Sequence, residues 1–247
     1  MSIDLSADVG EGADDLPIFP LLTSVSVACG AHAGDAETMD RCVAEARRLG
    51  VGVGAHPGYP DREGSGRRAM TMSAEALATS LVSQIAALRD VCDRHRVPLG
   101  HVKPHGALYN EAAVDPALAA VIVRAIAGSA DPPTVVALAG SAMLDAAAGA
   151  GIPAAAEAFA DRRYLVAGTL APRALDGALV IDPAAAAAQA VAIARGEPIE
   201  TLDGRAIRVN ADTICLHADT PGALDIARAV RGALERAGVR VAPLARR

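Results

Sequence analysis

Short apolar runs alternate with longer stretches of helical periodicity from one end of the chain to the other. The runs near residues 3–8, 25–29, 51–55, 99–103, 134–139, 153–159 and 213–217 predict seven strands, since strands covered on both faces read as near-continuous apolar segments. Helical periodicity predicts helices near 36–49, 73–95, 116–128, 141–150, 184–195 and 221–237. Several open on the Asp, Ser or Pro expected at helix starts, and Gly50, Gly151 and Gly238 stand where helices should stop. Strand and helix in regular alternation is the signature of βα units around a parallel sheet. The pattern weakens between 160 and 182. A turn at Asp203-Gly204 separates two short β-like runs, Ile199–Leu202 and Ala206–Val209. Both regions read as insertions.

With 247 residues, 52% of them apolar, the chain can bury one substantial core, and α/β barrels reach this length as a single domain. One domain over residues 1–247 is expected. No apolar stretch approaches the ~20 residues of a membrane span. The opening MSIDLSADVGEG carries acids where an export signal would carry basic residues. The four cysteines form no CxxC pair, which fits reduced thiols and a cytoplasmic location. A net charge of −6 and 2% aromatic residues leave neither a basic track nor stacking platforms, so nucleic acid is not an expected partner.

One count changes the picture. Of 23 lysines and arginines, only Lys103 is lysine. In a chain so biased toward arginine, a retained lysine points to a place where arginine does not serve.

The uncommon polar residues gather where the apolar runs end. Asp8 and Glu11 follow the first run; Cys29, His32 and Asp35 the second; His56 and Asp61 the third; His101, Lys103 and His105 the fourth; Glu157, Asp161 and Arg162 the sixth; His217 and Asp219 the seventh. Loops after the strands of a barrel build its active site at the carboxyl end of the sheet, so these residues should converge. In HVKPHG, period-two spacing puts His101, Lys103 and His105 on one side of the chain. An inward lysine is either desolvated enough to transfer a proton or, if charged, placed to stabilise an oxyanion. Arginine, bulkier and permanently protonated, does neither job in the same way.

Asp8, His56 and either His101 or His105 offer a carboxylate and imidazole set for a divalent metal. The same side chains equally form a metal-free acid–base set. The segment GAHPGYPDREGSGRR supplies glycines and Arg67-Arg68 for an anionic group. It is not a Walker loop, because no Gly-Lys pair occurs in the chain. Cys29 beside His32 admits a thiol nucleophile, although a small buried cysteine at a strand end explains it as well.

Taken together, DLSADVGEG (4–12), ACGAHAGD (28–35), GVGAHPGYPD (52–61), HVKPHGALYN (101–110), EAFADRRY (157–164) and ADTICLHADTP (211–221) resemble the family of 5-oxoprolinase A subunits, also called LamB/YcsF. The resemblance implies an irregular (β/α) barrel of about seven strands, similar to the glycoside hydrolase/deacetylase superfamily. It also implies cleavage of 5-oxoproline to glutamate with ATP as co-substrate, and partner subunits B and C. Ser6, Ala31 and Ser65 depart from the family's usual Asn, Phe and Phe.

A five-membered lactam is a resonance-stabilised amide, and phosphorylating its oxygen would turn that oxygen into a leaving group. On this reading the expected catalytic residues are Asp8, Glu11, His32, Lys103 and His105. Arg67, His101, Glu157, Arg162 and His217 are the expected substrate contacts, and Asp8, His56 and His101 the expected metal ligands. Two other functions suit the same pattern: a metal-dependent carbohydrate deacetylase, and a non-catalytic lactam-binding subunit. The scarcity of aromatic rings on which a sugar could stack weighs against the first.

Overall fold

The computed structural model describes residues 1–12, 14–128 and 131–244. Ten strands follow in chain order: β1 Ser2–Val9, β2 Ser24–Ala28, β3 Gly52–His56, β4 Leu99–Val102, β5 Thr134–Leu138, β6 Ala154–Phe159, β7 Ile199–Glu200, β8 Ala206–Ile207, β9 Thr213–His217 and β10 Arg240–Val241. Seven of them, in the order β1-β2-β3-β4-β5-β6-β9, pair in parallel and close through β1–β9 into a barrel. β10 adds to the start of β1 outside the ring, and β7–β8 is a separate antiparallel hairpin.

The helices are α1 Ala36–Leu49, α2 Ala74–His95, α3 Gly106–Ala112, α4 Pro116–Ala127, α5 Ala142–Ala150, α6 Pro183–Ala194 and α7 Ala223–Arg236. Their starts follow from local chemistry. The side chains of Asp35, Ser73, Asp115 and Asp182 each accept a backbone N–H of the first turn, and Pro116 and Pro183 occupy opening positions. Gly50 and Gly151 end α1 and α5 in the left-handed conformation. Among the described residues, no single helix is long and apolar enough to cross a membrane.

The seven expected barrel strands are found within one residue of their predicted bounds. Helix α3 is an addition to the expected elements. It begins straight after Lys103-Pro104-His105 and is too brief to show periodicity. Residues 160–182 form no named strand or helix and are held by isolated bridges, Arg162 to Leu179 and Tyr164 to Leu170.

Alternation along β1 explains the two faces of the barrel wall. Leu5, Ala7 and Val9 belong to the apolar core beneath the helices, while Asp4, Ser6 and Asp8 are buried among polar groups of other strands. Asp4 accepts hydroxyl hydrogen bonds from Thr23, Ser24 and Thr213 at 2.6–2.7 Å. One layer up, Ser6 Oγ lies 3.1 Å from Thr213 Oγ1 and Ser26 Oγ 3.1 Å from His101 Nε2. Gly54 makes room for that imidazole, since a Cβ there would sit 2.2 Å from the ring. The lower barrel interior therefore holds layers of hydrogen-bonded polar side chains, while most of the apolar core lies between the barrel wall and the helices.

Candidate active site

At the carboxyl ends of the strands the polar residues converge as the sequence pattern predicts. Asp8 is the penultimate residue of β1, and past Val9 the chain turns through Gly10, whose φ of 80° suits a residue without a Cβ. The Gly10 N–H donates to Asp15 at 2.5 Å, fixing the loop that carries Glu11. His32 comes from the loop after β2, His56 from the end of β3, Lys103 from just past β4, Glu157 from β6 and His217 from the end of β9.

Lys103 is the centre of the arrangement. Its ammonium is buried and donates to both oxygens of Asp8 at 2.9 Å each, lies 2.8 Å from Glu157 Oε1, and is 3.2 Å from Cys215 Sγ. The ring centroids of Phe159 and Tyr109 stand 5.0 and 5.7 Å away. Tyr109 donates its hydroxyl hydrogen to Glu157 Oε2 at 2.7 Å. Burial alone would pull the lysine pKa down, but attraction to Asp8, Cys215 and Glu157 overrides it and holds the ammonium well above its ordinary value. These partners favour the charged state of the two open to an inward lysine. Burial opposes ionisation of Asp8 as well, yet His56 and Lys103 bring its pKa down to about 2.

Beside this group lies a knot of three imidazoles. His56 Nδ1 is 2.8 Å from the carbonyl oxygen of Lys103, and His105 Nε2 is 2.9 Å from that of Ser65. The remaining ring nitrogens, His56 Nε2 and His105 Nδ1, face each other at 2.9 Å. Glu11 Oε1 lies 2.8 Å from His105 Nδ1, 3.2 Å from His32 Nε2 and 3.5 Å from His56 Nε2. The rings of His32 and His105 stack at 3.8 Å. Glu11, His32, His56 and His105 each offer one ligand atom, all within 4.8 Å of one another, and among the described residues form a group that could hold a metal. Burial lowers the His56 pKa to about 3, which leaves the ring neutral.

These residues border a cavity of about 190 Å³ walled by Asp8, His56, Lys103, His105, Phe159 and His217, with Arg67, Arg162 and Arg173 around it. Arg67 and Arg173 both pair with Asp219. Arg162 is buried, donates to the Ala171 carbonyl, and has an Nε without a partner among the described residues. Burial, then the neighbouring Arg173, lowers its pKa to about 10. His217 is oriented by Asp161, which accepts from its ring at 3.0 Å, and stacks on Phe159.

The geometry corrects several expectations. His101 faces inward but one layer below Lys103, where it bonds Ser26; it joins neither the cavity wall nor the imidazole knot. Period two fixes the side of a strand on which a residue lies, not its depth. Glu157 likewise sits beneath the cavity and reaches it only through Lys103 and Tyr109. Asp8 is 3.4 Å from His56 but is engaged by Lys103 through both oxygens. His105 does not continue the strand; it is the residue before α3 and enters from the helix start.

Arg68 is spent on Asp61 within its own loop, and Asp35 caps α1. Cys29 is a buried thiol whose pKa burial raises to about 12, which disfavours the thiolate a nucleophile needs. Tyr109 and Arg173 escape the sequence pattern, the first because it lies on the unexpected helix α3 and the second because it lies inside the irregular 160–182 segment. Phe159 carries a usable signal as the last inward residue of its strand.

Comparison with known proteins places this geometry. The sequence profile of the LamB/YcsF family matches residues 3–247. The chain is 45% identical over 247 residues to the A subunit of 5-oxoprolinase from Chloroflexus aggregans, covering 98% of each chain. It is 46% identical over 248 residues to the one from Heliobacterium modesticaldum, covering 98% of this chain and 97% of that one. Among solved structures it resembles a lactam utilization protein of Thermus thermophilus, with a TM-score of 0.92 and 42% identity over 98% of this chain and 99% of that chain. A T48 deacetylase shares the fold at a TM-score of 0.52 and 12% identity, over 98% and 88% of the two chains.

Proposed function

Since the chain belongs to the LamB/YcsF family, we propose that it is the A subunit of an ATP-dependent 5-oxoprolinase, opening the lactam ring to glutamate with partner subunits B and C. The observation that carries the reading is the buried Lys103 ammonium on the wall of a small cavity surrounded by arginines. A lactam with a carboxylate on its ring presents one anionic group and one carbonyl. Cationic groups at the cavity suit both.

Held charged by Asp8 and Glu157, Lys103 is an electrostatic partner for the oxygen that gains charge when the ring carbonyl is attacked. A preorganised cation in a water-poor site needs no rearrangement as that charge develops. It is not the base. On the cavity wall, Asp8 or His217 would position the attacking water. Arg162, with a free Nε, is the proposed contact for the substrate carboxylate. Arg67 and Arg173 already share Asp219 and would adjust to a second anion such as a phosphate.

Lacking a Gly-Lys phosphate loop, the chain is proposed to depend on its partners for ATP use. The test measures glutamate formed from 5-oxoproline and ATP by the chain alone, and by the chain mixed with candidate B and C subunits. Glutamate should form only in the mixture. Full turnover by the chain alone would refute the division of labour. If the complex makes glutamate undiminished by changes at Lys103, the chain only binds the lactam, and the chemistry lies elsewhere.

A further inference from the structure

We propose that His56, His105, His32 and Glu11 form a binding site for one divalent first-row transition-metal ion at the edge of the cavity. The inference goes beyond the lactam reading and does not rest on it.

The argument begins with what a carbonyl oxygen does: it only accepts hydrogen bonds. Because His56 Nδ1 faces the Lys103 carbonyl and His105 Nε2 faces that of Ser65, those two nitrogens carry the hydrogens. With a single hydrogen on each ring, the other nitrogens, His56 Nε2 and His105 Nδ1, would be bare lone pairs. They point at each other across 2.9 Å, with the Glu11 carboxylate 2.8 Å from one of them. Three electron-rich atoms in such contact repel unless a cation lies among them.

A proton is one such cation, but it bridges atoms along a line. Here four ligand atoms arrive from four different segments, the end of β3 and the stretches after β1, β2 and β4, each within 4.8 Å of all the others. For ligand bonds of ~2.1 Å, two atoms at right angles around an ion stand about 3.0 Å apart and two at the tetrahedral angle about 3.4 Å apart. The separations of 2.8, 2.9, 3.2 and 3.5 Å among Glu11, His56, His105 and His32 fall on this scale. Anchoring the far nitrogen of a histidine on a main-chain carbonyl is also how metal-binding imidazoles are oriented.

Charge points the same way. Asp8 and Glu11 bring two buried or half-buried carboxylates beside the imidazoles; Lys103 pairs with Asp8, while Arg67, 4.0 Å from Glu11, is half-exposed and paired with Asp219, which leaves Glu11 for an ion. Imidazole and carboxylate ligands together favour a borderline ion such as zinc, cobalt, iron or manganese over calcium or magnesium. Asp8 and His101, the other candidates, are occupied by Lys103 and Ser26.

The experiment uses the purified full chain, stripped with a chelator, dialysed and titrated with Co²⁺. Visible ligand-field absorption and plasma mass spectrometry should report one equivalent of ion, displaced by Zn²⁺. His56→Gln and His105→Gln should each weaken binding by about a hundredfold or more, beyond the loss usual for orienting groups alone. His95→Gln, on the far surface histidine, should leave it unchanged. Nitrogen NMR of the wild-type imidazoles gives a reading that does not depend on whether the variants fold: Zn²⁺ should shift His56 and His105. The proposal is overturned if the wild type retains no ion, if His95→Gln is what abolishes binding, or if His105 proves doubly protonated and indifferent to Zn²⁺.

Discussion

Replacing Lys103 by methionine keeps an unbranched side chain of similar bulk but deletes the ammonium that Asp8 and Glu157 share. Removing one partner of a buried ion pair costs about 3–5 kcal/mol, because the remaining charge is stranded. At about 1.4 kcal/mol per pKa unit, that penalty is worth roughly 2–4 units of upward shift in the orphaned carboxyls. The sign follows. A carboxyl whose folded pKa rises above its unfolded value of about 4 destabilises the fold at high pH, and the penalty fades as pH falls from the folded pKa toward the unfolded one. Lys103→Met should therefore melt about 6–20 °C below wild type at pH 8, using 2–4 °C per kcal/mol for a chain of this size. At pH 5 the gap should shrink markedly, as the stranded group takes up a proton. Differential scanning calorimetry or fluorimetry of both proteins across pH 5–8 measures it. A variant within about 2 °C of wild type at pH 8, or a gap independent of pH, would refute the view that Lys103 holds two buried carboxylates together.

Lys103→Arg retains charge but not shape, and should fold while ring opening by the assembled complex falls on the order of a hundredfold; near wild-type turnover would make the lysine a compositional survivor. Gly54→Ala drives a methyl into the His101 ring and should cost about 1–3 kcal/mol in urea denaturation, with part recovered when His101→Ala is added. Arg162→Gln should raise the KM for 5-oxoproline by roughly 10–100-fold, the scale of a lost charged hydrogen bond. It should spare binding of the same ring without its carboxylate; equal losses for both would remove Arg162 from the carboxylate. In wild type, the depressed pKa of Asp8, about 2, adds stability present above pH 4 and lost as pH falls through 2. Acid unfolding of Asp8→Asn should lack that step.

The strand pattern and the strand-end histidines are legible because burial on both faces and loop position act locally on the sequence. What the pattern does not carry is depth and closure. His101 and Lys103 look equivalent at period two, yet one is buried on Ser26 and the other lies at the cavity. Glu11, His32 and His105 meet because β1, β2, β3 and β4 stand side by side in the barrel wall, a relation no window of residues contains. Ser65 shows the same limit from the other side. It departs from the family's usual Phe, but the group that orients His105 is its main-chain carbonyl and not its side chain.

The pairing of Ser2 and Ile3 with Arg240 and Val241 brings the first and last strands together at the amino end of β1, while the cavity lies at the carboxyl ends of the barrel strands. For protein engineering this separates handling from chemistry. A tag, a surface tether or a fused domain attached near either strand would emerge on the face opposite the cavity mouth. A short linker joining these neighbouring strands would allow circular permutation, with new ends opened in the β7–β8 turn around Asp203-Gly204. Such a permutant would reorder the chain while leaving each catalytic candidate in its original strand or loop.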